Sequence, residues 1–279
     1  MVDINAGTSL YALVGYPVEH SLSPIFWNKS FSELNINAVY LALSVQPDNI
    51  IACLEGLKVS GVKGLNITRP HKFDAANFCN FLHGAAKETN VVNTIKFYSN
   101  QKAEGWNTDA TGFLNLLKNN NLPATSAVVF GNGASSISII WALKEYGINK
   151  IYQIARKFVV DSEDINESHN NKKIFFRKLS WNYKNFNNSI KESDIIINTT
   201  PIGWHEKDDI PGFKESLNDS KCFVDLNYNK KSKLLKTAKQ ICGNTIDGRE
   251  LLFEQGVEAF KVLTNYAPPA EIIRRSIFD

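Results

Sequence analysis

The sequence predicts a two-domain α/β protein. Short apolar runs of strand length alternate with helical patterns along most of the chain, which is typical of βαβ units in a mostly parallel, helix-covered sheet. The alternation is interrupted near residue 91 and restarts near residue 127. A chain of 279 residues also suits two modest domains better than a single core.

The first series is predicted from runs of β-branched and aromatic residues, each followed by a helical pattern. Pro24 fits the first turn of the first helix, where its missing N–H costs nothing. In chain order, the predicted strands and helices are SLYALVGYP (9–17), SPIFWNKSFSEL (23–34), AVYLALSV (38–45), NIIACLEGLKV (49–59), VKGLNIT (62–68) and HKFDAANFCNFL (71–82).

A hairpin is predicted next, because VVNTIKFY (91–98) and KAEGWN (102–107) flank a polar turn. DATGFLNLLKNN (109–120) then predicts a helix capped by Asp109. NESHNNKK (166–173) is predicted to be a polar loop. The second series consists of AVVF (127–130), ISIIWALKEYG (137–147), INKIYQIA (148–155), KKIFFRKL (172–179), SDIIINTT (193–200) and KCFVDLNY (221–228), followed by two C-terminal helices.

The composition is that of a soluble globular protein, with 43% hydrophobic and 21% charged residues. The net charge of +3 is spread over interspersed acids and bases, so no nucleic-acid surface is expected. No apolar stretch reaches the ~18 residues of a spanning helix and no signal peptide is evident, so we expect no membrane contact and a cytoplasmic location. The four cysteines lack a CxxC pair and the five histidines lack metal-ligand spacing, which predicts reduced thiols and no metal.

The segment AVVF-GNGASS-ISII places a glycine-rich turn between a strand and a helix. The first glycine permits the tight turn, and the second leaves room for a pyrophosphate against the backbone. The helix that follows presents unpaired N–H groups and the positive end of its dipole. We therefore predict a dinucleotide site formed by Gly131, Asn132, Gly133, Ala134 and Ser135, with an ordinary turn as the alternative.

The next strand, INKIYQIA, ends in Arg156 and Lys157, where an NAD-binding site usually carries an acid for the ribose 2′-hydroxyl. The planar fork of an arginine suits a 2′-phosphate. These two residues favour NADP over NAD, with two solvated bases at a strand end as the alternative.

Polar residues also follow the strands of the first series. In GLNITRPHK (64–72), Asn66 and Thr68 share one face of a strand. Lys72 lies in the first turn of the next helix, where the positive dipole end disfavours its ammonium form. Lys72 is therefore a candidate for proton transfer, with an ordinary surface lysine as the alternative.

HSLSP (20–24) places Ser21 and Ser23 at a strand-to-helix junction, and VVNTI and GWNTD add Asn93 and Asp109. Such junctions meet at the carboxyl ends of parallel strands, where ligands bind. Hydroxyls, amides and few charges suit a small polyhydroxylated acid. Ser23 and Asp109 are each also consistent with a helix cap.

These segments resemble, in the same order from about residue 10 to the C-terminus, those of the shikimate dehydrogenase family. HSLSP resembles its serines for the substrate carboxylate, NITRPHK its NVTxPxK motif, and VVNTI and GWNTD its two NT motifs. The resemblance implies that Lys72 is the catalytic proton donor and acceptor, with Asp109 as its catalytic partner. It implies substrate contacts for Ser21, Ser23, Asn66, Thr68, Asn93, Asp109, Tyr228 and Gln255.

INTTPIGW (197–204), DLNY (225–228) and DGRELLFEQ (247–255) resemble three further family segments beside the cofactor and the substrate. Besides the glycine loop, the resemblance implies cofactor contacts for Arg156, Lys157, Thr200, Pro201, Gly203, Leu226 and Gly248. Arg156 retains the arginine of the family pattern. It departs from the family pattern at Ala134, Ala155, Lys157, Trp204 and Glu250.

The resemblance implies an N-terminal open, mostly parallel α/β domain that binds substrate (1–108 and 249–279), a Rossmann-like NADP-binding domain (109–248), and C-terminal helices that return to the first domain. It implies the reversible NADPH-dependent reduction of 3-dehydroshikimate to shikimate, in chorismate and aromatic amino acid biosynthesis. The expected partner is this small molecule, bound by a monomer or homodimer. Two alternatives stay open: a quinate/shikimate dehydrogenase that uses NAD(H), and a non-catalytic, ligand-binding member of the family.

Overall fold

The computed structural model describes residues 4–205, 208–228 and 232–278, and it confirms the predicted α/β class. The chain divides into two units. Unit 1 combines Met1–Gly112 with Leu252–Asp279, and unit 2 is Phe113–Leu251. Among the described helices, none has both the length and the apolar character that crossing a membrane requires.

The strands of unit 1 form one mixed sheet. They are β1 (Ser9–Gly15), β2 (Ala38–Ser44), β3 (Gly64–Ile67), β4 (Phe81–Leu82), β5 (Thr94–Phe97) and β6 (Ala103–Trp106). Their order in the sheet is β2-β1-β3-β5-β6-β4. The first three strands run parallel, whereas β5 runs antiparallel to both β3 and β6, which confirms the predicted hairpin.

The strands of unit 2 form a sheet whose order reverses at its first strand. They are β7 (Ser126–Phe130), β8 (Lys150–Ala155), β9 (Ile165–His169), β10 (Lys172–Ser180), β11 (Ile195–Asn198), β12 (Cys222–Asp225) and β13 (Asn244–Asp247). The order is β13-β12-β11-β7-β8-β10-β9, and among the described strands of this sheet only β9 and β10 pair antiparallel. Such a doubly wound sheet binds ligands beyond the carboxyl ends of its strands, next to the reversal at β7.

The helices connect and cover these strands. They are α1 (Ser23–Glu33), α2 (Ile50–Val59), α3 (Lys72–Phe78), α4 (Ala85–Thr89), α5 (Thr108–Asn119), α6 (Ala134–Tyr146), α7 (Tyr183–Lys191), α8 (Phe213–Ser216), α9 (Lys233–Ile241), α10 (Gly248–Thr264) and α11 (Ala270–Phe278). α11 packs against α1, and the ring of Phe260 in α10 lies 4.9 Å from that of Trp27 in α1. The C-terminal helices therefore return to unit 1, as predicted.

The central strands are buried on both faces, which explains their nearly continuous apolar sequences. In β7, Val129 belongs to one apolar cluster and Val128 to the cluster on the other face. In β3, Leu65 packs into a cluster with Leu54 of α2, while Asn66 points to the opposite face.

Three predicted details are wrong. α3 ends at Phe78 instead of continuing to residue 82, and the segment after it forms β4. Residues 166–173 are no loop: they form most of β9, the turn, and the first two residues of β10. The turn holds Asn170 and Asn171 at φ values of 48° and 62°, which asparagine tolerates. α5 is capped by Asn107, whose Oδ1 accepts a hydrogen bond from the Ala110 backbone N–H at 3.1 Å, and not by Asp109.

Candidate active site

One edge of the sheet in unit 1 collects several of the polar residues predicted from the sequence. β1 and β3 run parallel, with Val14 opposite Ile67, so both strands end at this edge. β5 runs antiparallel to β3, so β5 starts at this edge. β6 runs antiparallel to β5, with Thr94 opposite Trp106, so β6 ends at this edge. The segments 68–72, 93–94 and 107–109 therefore lie at the same edge.

Lys72 and Asp109 form an ion pair at this edge. The Lys72 Nζ donates to Asp109 Oδ2 at 2.5 Å, and the two side chains are only 11% and 14% exposed. Lys72 is the first residue of α3, and Asp109 is the second residue of α5. Separating a pair this buried would leave an uncompensated charge, so the pair holds both side chains in one geometry.

Asn93 holds the other oxygen of the Asp109 carboxylate. Its Nδ2 donates to Asp109 Oδ1 at 2.9 Å. Its own Oδ1 accepts from the backbone N–H and the hydroxyl of Thr108, at 2.7 and 3.0 Å. Because those donors fix the amide oxygen, the amide nitrogen must face the carboxylate, and Asp109 is oriented from two sides.

Asn66 extends this network toward the core. Its Nδ2 donates to the Thr94 hydroxyl at 3.1 Å, and its Oδ1 accepts from the Tyr40 hydroxyl at 2.8 Å. Burial raises the pKa of Tyr40 well above its ordinary value, so the phenol stays a neutral donor. The Asn66 amide is thus engaged by protein groups.

The two predicted serines lie before and at the start of α1. The Ser21 hydroxyl accepts a hydrogen bond from the Ser23 backbone N–H at 3.2 Å. Ser23 is the first residue of the helix, and Leu22 occupies the N-cap position without a side-chain bond. The alternative that Ser23 serves as the helix cap is therefore wrong.

Thr68 and Gln255 lie next to elements that carry the ion pair. Thr68 follows β3 beside the end of β1, where a Cβ added to Gly15 would come 2.2 Å from the Thr68 Cγ2. Gln255 belongs to α10 and its side-chain amide donates to the Leu252 carbonyl at 2.9 Å. Its backbone packs against Gly112 of α5, the helix of Asp109.

In unit 2, the predicted dinucleotide loop lies between β7 and α6. Gly131 has a φ of 119°, and a Cβ there would come 2.4 Å from the Thr199 Oγ1, so only glycine fits. Gly133 is the N-cap of α6 and supplies no side chain to its first N–H groups, and a Cβ there would meet no atom within 4 Å. This open approach to a bare helix start suits a phosphate. The other predicted residues of the loop are exposed or half-buried: Asn132, Ala134 and Ser135.

Arg156 and Lys157 follow β8, the neighbour of β7. Phe130 at the end of β7 pairs with Ile154 of β8, so the glycine loop and the two bases leave the same edge of the sheet side by side. Both bases are exposed. They are placed where a group attached to a nucleotide on the glycine loop can reach them.

A buried carboxylate, which sequence reasoning missed, organises the turn after β11. Asp225 at the end of β12 is 0% exposed and accepts from Asn198 Nδ2 (3.0 Å), the Asn227 backbone N–H (3.1 Å) and the Ser232 hydroxyl (2.8 Å). Burial raises the pKa of Asp225 to about 6, against the pull of these donors. The Asn198 Oδ1 in turn accepts from the N–H and the hydroxyl of Thr200, at 3.1 and 2.7 Å.

Asn227 completes the support of this turn. Its Nδ2 donates to the carbonyls of Thr200 and Ile202, at 3.0 and 2.9 Å. The backbone of the turn that holds Thr200, Pro201 and Gly203 is therefore held by the buried Asn198 and by the half-buried Asn227. The sequence signal that could have identified this site was Asp225, an acid at the end of the apolar run CFV.

The remaining predicted residues lie around this turn and at the start of α10. Leu226 is half-buried, and its backbone N–H donates to the Asn198 carbonyl at 3.0 Å. The ring of Tyr228 meets that of Trp204 edge-on, at 5.6 Å between centroids. Gly248 opens α10 against the Leu226 carbonyl, where a Cβ would come within 2.2 Å.

Comparison with known proteins identifies relatives along the whole chain. Residues 13–95 match the family model of the shikimate dehydrogenase substrate binding domain. The chain is 34% identical to the shikimate dehydrogenase (NADP(+)) of Aquifex aeolicus, over 99% of this chain and 98% of the relative. It is 32% identical to that of Methanothermobacter thermautotrophicus, over 98% and 97%.

Solved structures of shikimate dehydrogenases also match this chain along nearly its whole length. The crystal structure of shikimate dehydrogenase from Aquifex aeolicus matches with a TM-score of 0.84 and 33% identity, over 99% of this chain and 100% of that one. A shikimate dehydrogenase in complex with NADP+ matches with a TM-score of 0.84 and 30% identity, over 99% and 97%.

Proposed function

The chain belongs to the shikimate dehydrogenase family, as its resemblance implied, and we propose on this basis that it catalyses the reversible NADPH-dependent reduction of 3-dehydroshikimate to shikimate. The observation that carries the proposal is the buried Lys72–Asp109 pair, 2.5 Å apart and held by Asn93. The pair lies beyond the ends of β1 and β3, and the Asn93 amide fixes the direction in which the carboxylate faces Lys72.

In this reaction Lys72 and Asp109 are the catalytic residues. NADPH, when bound, supplies the hydride. Lys72 donates a proton from Nζ to the ketone oxygen during reduction and accepts the hydroxyl proton during oxidation. Asp109 keeps Nζ in place and accepts a hydrogen bond from the substrate hydroxyl in the oxidation direction. Asn93 keeps the carboxylate turned toward Lys72.

We propose that unit 1 binds the substrate, within the predicted domain 1–108 and 249–279. Ser21 and Ser23 bind its carboxylate, since two hydroxyls at the start of a helix suit an anion. Its hydroxyls are bound by the remaining residues of the predicted set that belong to unit 1: Asn66, Thr68, Asn93, Asp109 and Gln255. The contact of Tyr228, which belongs to unit 2, stays a prediction.

We propose that unit 2 binds NADP(H), within the predicted domain 109–248. The bare start of α6 and the open side of Gly133 suit the pyrophosphate, and Arg156 and Lys157 suit the 2′-phosphate. The turn that ends in Gly203, Leu226 and the start of α10 border the rest of the cofactor. The proposed setting is the cytoplasm, as a monomer or homodimer, and the four cysteines are free thiols, as in a reducing compartment.

The test is shikimate-dependent reduction of NADP+, followed by the absorbance of NADPH. Lys72→Met should lower kcat by roughly 10²–10⁴ with an unchanged Kd for NADPH, because methionine keeps the length of the side chain but carries no proton. Arg156→Ala should reduce the preference for NADPH over NADH. A wild-type protein that oxidises quinate with NAD+ but not shikimate with NADP+ would contradict the proposal.

A further inference from the structure

His71, the residue before Lys72, is fully buried, and only one of its two ring nitrogens has a hydrogen-bond partner among the described residues. It is 0% exposed, and its Nε2 lies 2.8 Å from the Val45 carbonyl oxygen. Its buried Nδ1 has no hydrogen-bond partner among the residues that the structure describes. A carbonyl oxygen can only accept, so Nε2 carries the proton and donates to it, and Nδ1 is left as a bare acceptor.

This arrangement is a poor choice for a side chain that serves packing alone. A buried acceptor without a donor costs about 1–3 kcal/mol of folding free energy. An apolar side chain of similar size would fill the same space without that cost. The feature that an apolar residue cannot replace is the Nε2–H bond to Val45.

That bond fastens the start of α3 to two strands of the sheet. Val45 follows β2, and its backbone N–H donates to the Gly15 carbonyl at the end of β1, at 2.9 Å. The His71 backbone is also held: its N–H donates to the Thr68 carbonyl at 3.1 Å, and its carbonyl accepts from the Ala75 N–H at 2.9 Å. The imidazole therefore joins the first turn of the helix to the ends of β1 and β2.

Lys72 is the next residue along the chain. Its backbone carbonyl accepts from the Val92 N–H at 3.0 Å. The position of Nζ against Asp109 depends on where this backbone sits, because the long side chain starts from it. A misplacement of about 1 Å can cost about 10²-fold in rate.

We propose that His71 is a positioning residue, whose Nε2–H bond to Val45 sets the backbone position from which Lys72 reaches Asp109. The proposal rests on the proposed function of Lys72. It assigns to His71 no contact with the substrate and no proton transfer.

The test compares His71→Gln with His71→Met. Glutamine can place an amide N–H near the position of the imidazole Nε2, so it keeps the donor to Val45. Methionine has a similar length and volume but no donor. Both variants remove the bare Nδ1. Glutamine adds an amide oxygen at this buried site, which disfavours it relative to methionine, so a higher kcat in His71→Gln is attributable to the N–H bond to Val45.

We expect His71→Gln to keep kcat for shikimate oxidation within about threefold of wild type and His71→Met to lose about 10- to 100-fold. The Kd for NADPH should be the same in both, because the cofactor residues belong to unit 2. Equal kcat values in the two variants would overturn the proposal. If His71→Met does not yield folded protein by circular dichroism, His71→Asn takes its place, since its shorter amide leaves the Val45 carbonyl without a donor.

A second readout does not depend on catalysis. The rate of reductive methylation at Lys72, measured by mass spectrometry of peptides, reports how well Nζ is held by Asp109. It should be as slow in His71→Gln as in wild type and several-fold faster in His71→Met. A wild-type protein without shikimate turnover but with this labelling pattern would refute the proposed function and leave the positioning role standing. Equal labelling rates in the two variants would refute the positioning role whatever the turnover.

Discussion

Asp225→Asn replaces a fully buried carboxylate by an amide of the same shape. In the wild type, burial raises the pKa of Asp225 from 3.8 to about 6, although Ser232 and Asn198 donate to it. Between these two pH values the folded protein binds a proton at this carboxylate and the unfolded chain does not. The stability that comes from this proton is therefore fully present below pH 3.8 and is lost as the pH rises through about 6.

The size of the effect follows from the shift. A difference of about 2 pKa units, at about 1.36 kcal/mol each, corresponds to about 3 kcal/mol. Asparagine does not titrate. We therefore expect the free energy of unfolding of Asp225→Asn, minus that of the wild type, to fall by about 3 kcal/mol between pH 7 and a pH just below 3.8.

Urea unfolding of both proteins at a series of pH values measures this difference, and the other carboxylates act equally in both and cancel. Asp194→Asn is the matched control. Burial raises the pKa of Asp194, but hydrogen bonds from Thr125 and Ser126 outweigh it and leave the pKa lowered. The stability that Asp194 contributes is therefore lost as the pH falls. The free energy of unfolding of Asp194→Asn, minus that of the wild type, should accordingly rise over the pH range in which the difference for Asp225→Asn falls. A difference for Asp225→Asn that stays within about 1 kcal/mol over the whole range would refute the reasoning.

Three glycine substitutions test the packing. Gly131→Ala should lower stability by more than about 1 kcal/mol and raise the Kd for NADPH at least about tenfold, because its φ of 119° is strained for alanine and its Cβ would come 2.4 Å from Thr199 Oγ1. Calorimetric titration and thermal unfolding measure both effects. Gly112→Ala should cost about 1–3 kcal/mol, because its Cβ would come 2.7 Å from the Gln255 backbone nitrogen and force α5 away from α10. Gly56→Ala in α2 meets nothing within 4 Å and should stabilise by about 0.5–1 kcal/mol, so equal melting temperatures for these two helix variants would contradict the described packing.

The sequence predicted the central strands well, because strands buried on both faces are apolar over their whole length. It predicted β10 but failed for β9 and for the turn between them, where the same reasoning misleads. β9 is an edge strand with mostly exposed side chains, so the pattern of residues 166–173 is polar and typical of a loop. The hairpin exists because its partner, β10, is anchored on β8 by parallel pairing that no local pattern reveals.

The candidate site was predictable only in part, for a similar reason. Asn107 and Asp109 are both good helix caps, two residues apart, and the sequence alone could not choose between them. The choice is made by Lys72, 37 residues earlier, which pairs with Asp109 and leaves the cap to Asn107. Asp225 was missed because its role depends on register: it lies opposite Asn198 in the neighbouring strand.

The interruption of the βα rhythm near residue 91 has a structural consequence for the candidate site. In a parallel sheet each strand ends at the same carboxyl edge. A crossover of a dozen or more residues must then follow before the next parallel strand can begin. β5 instead starts at that edge, immediately after Asn93, and its hairpin brings the chain back through β6 to Asp109, 16 residues later. The antiparallel pair thus places two chain segments at the edge where β3 has already delivered Lys72. In this sheet the break in the helical pattern is what allows an amide and a carboxylate from one short stretch of sequence to face the same ammonium group.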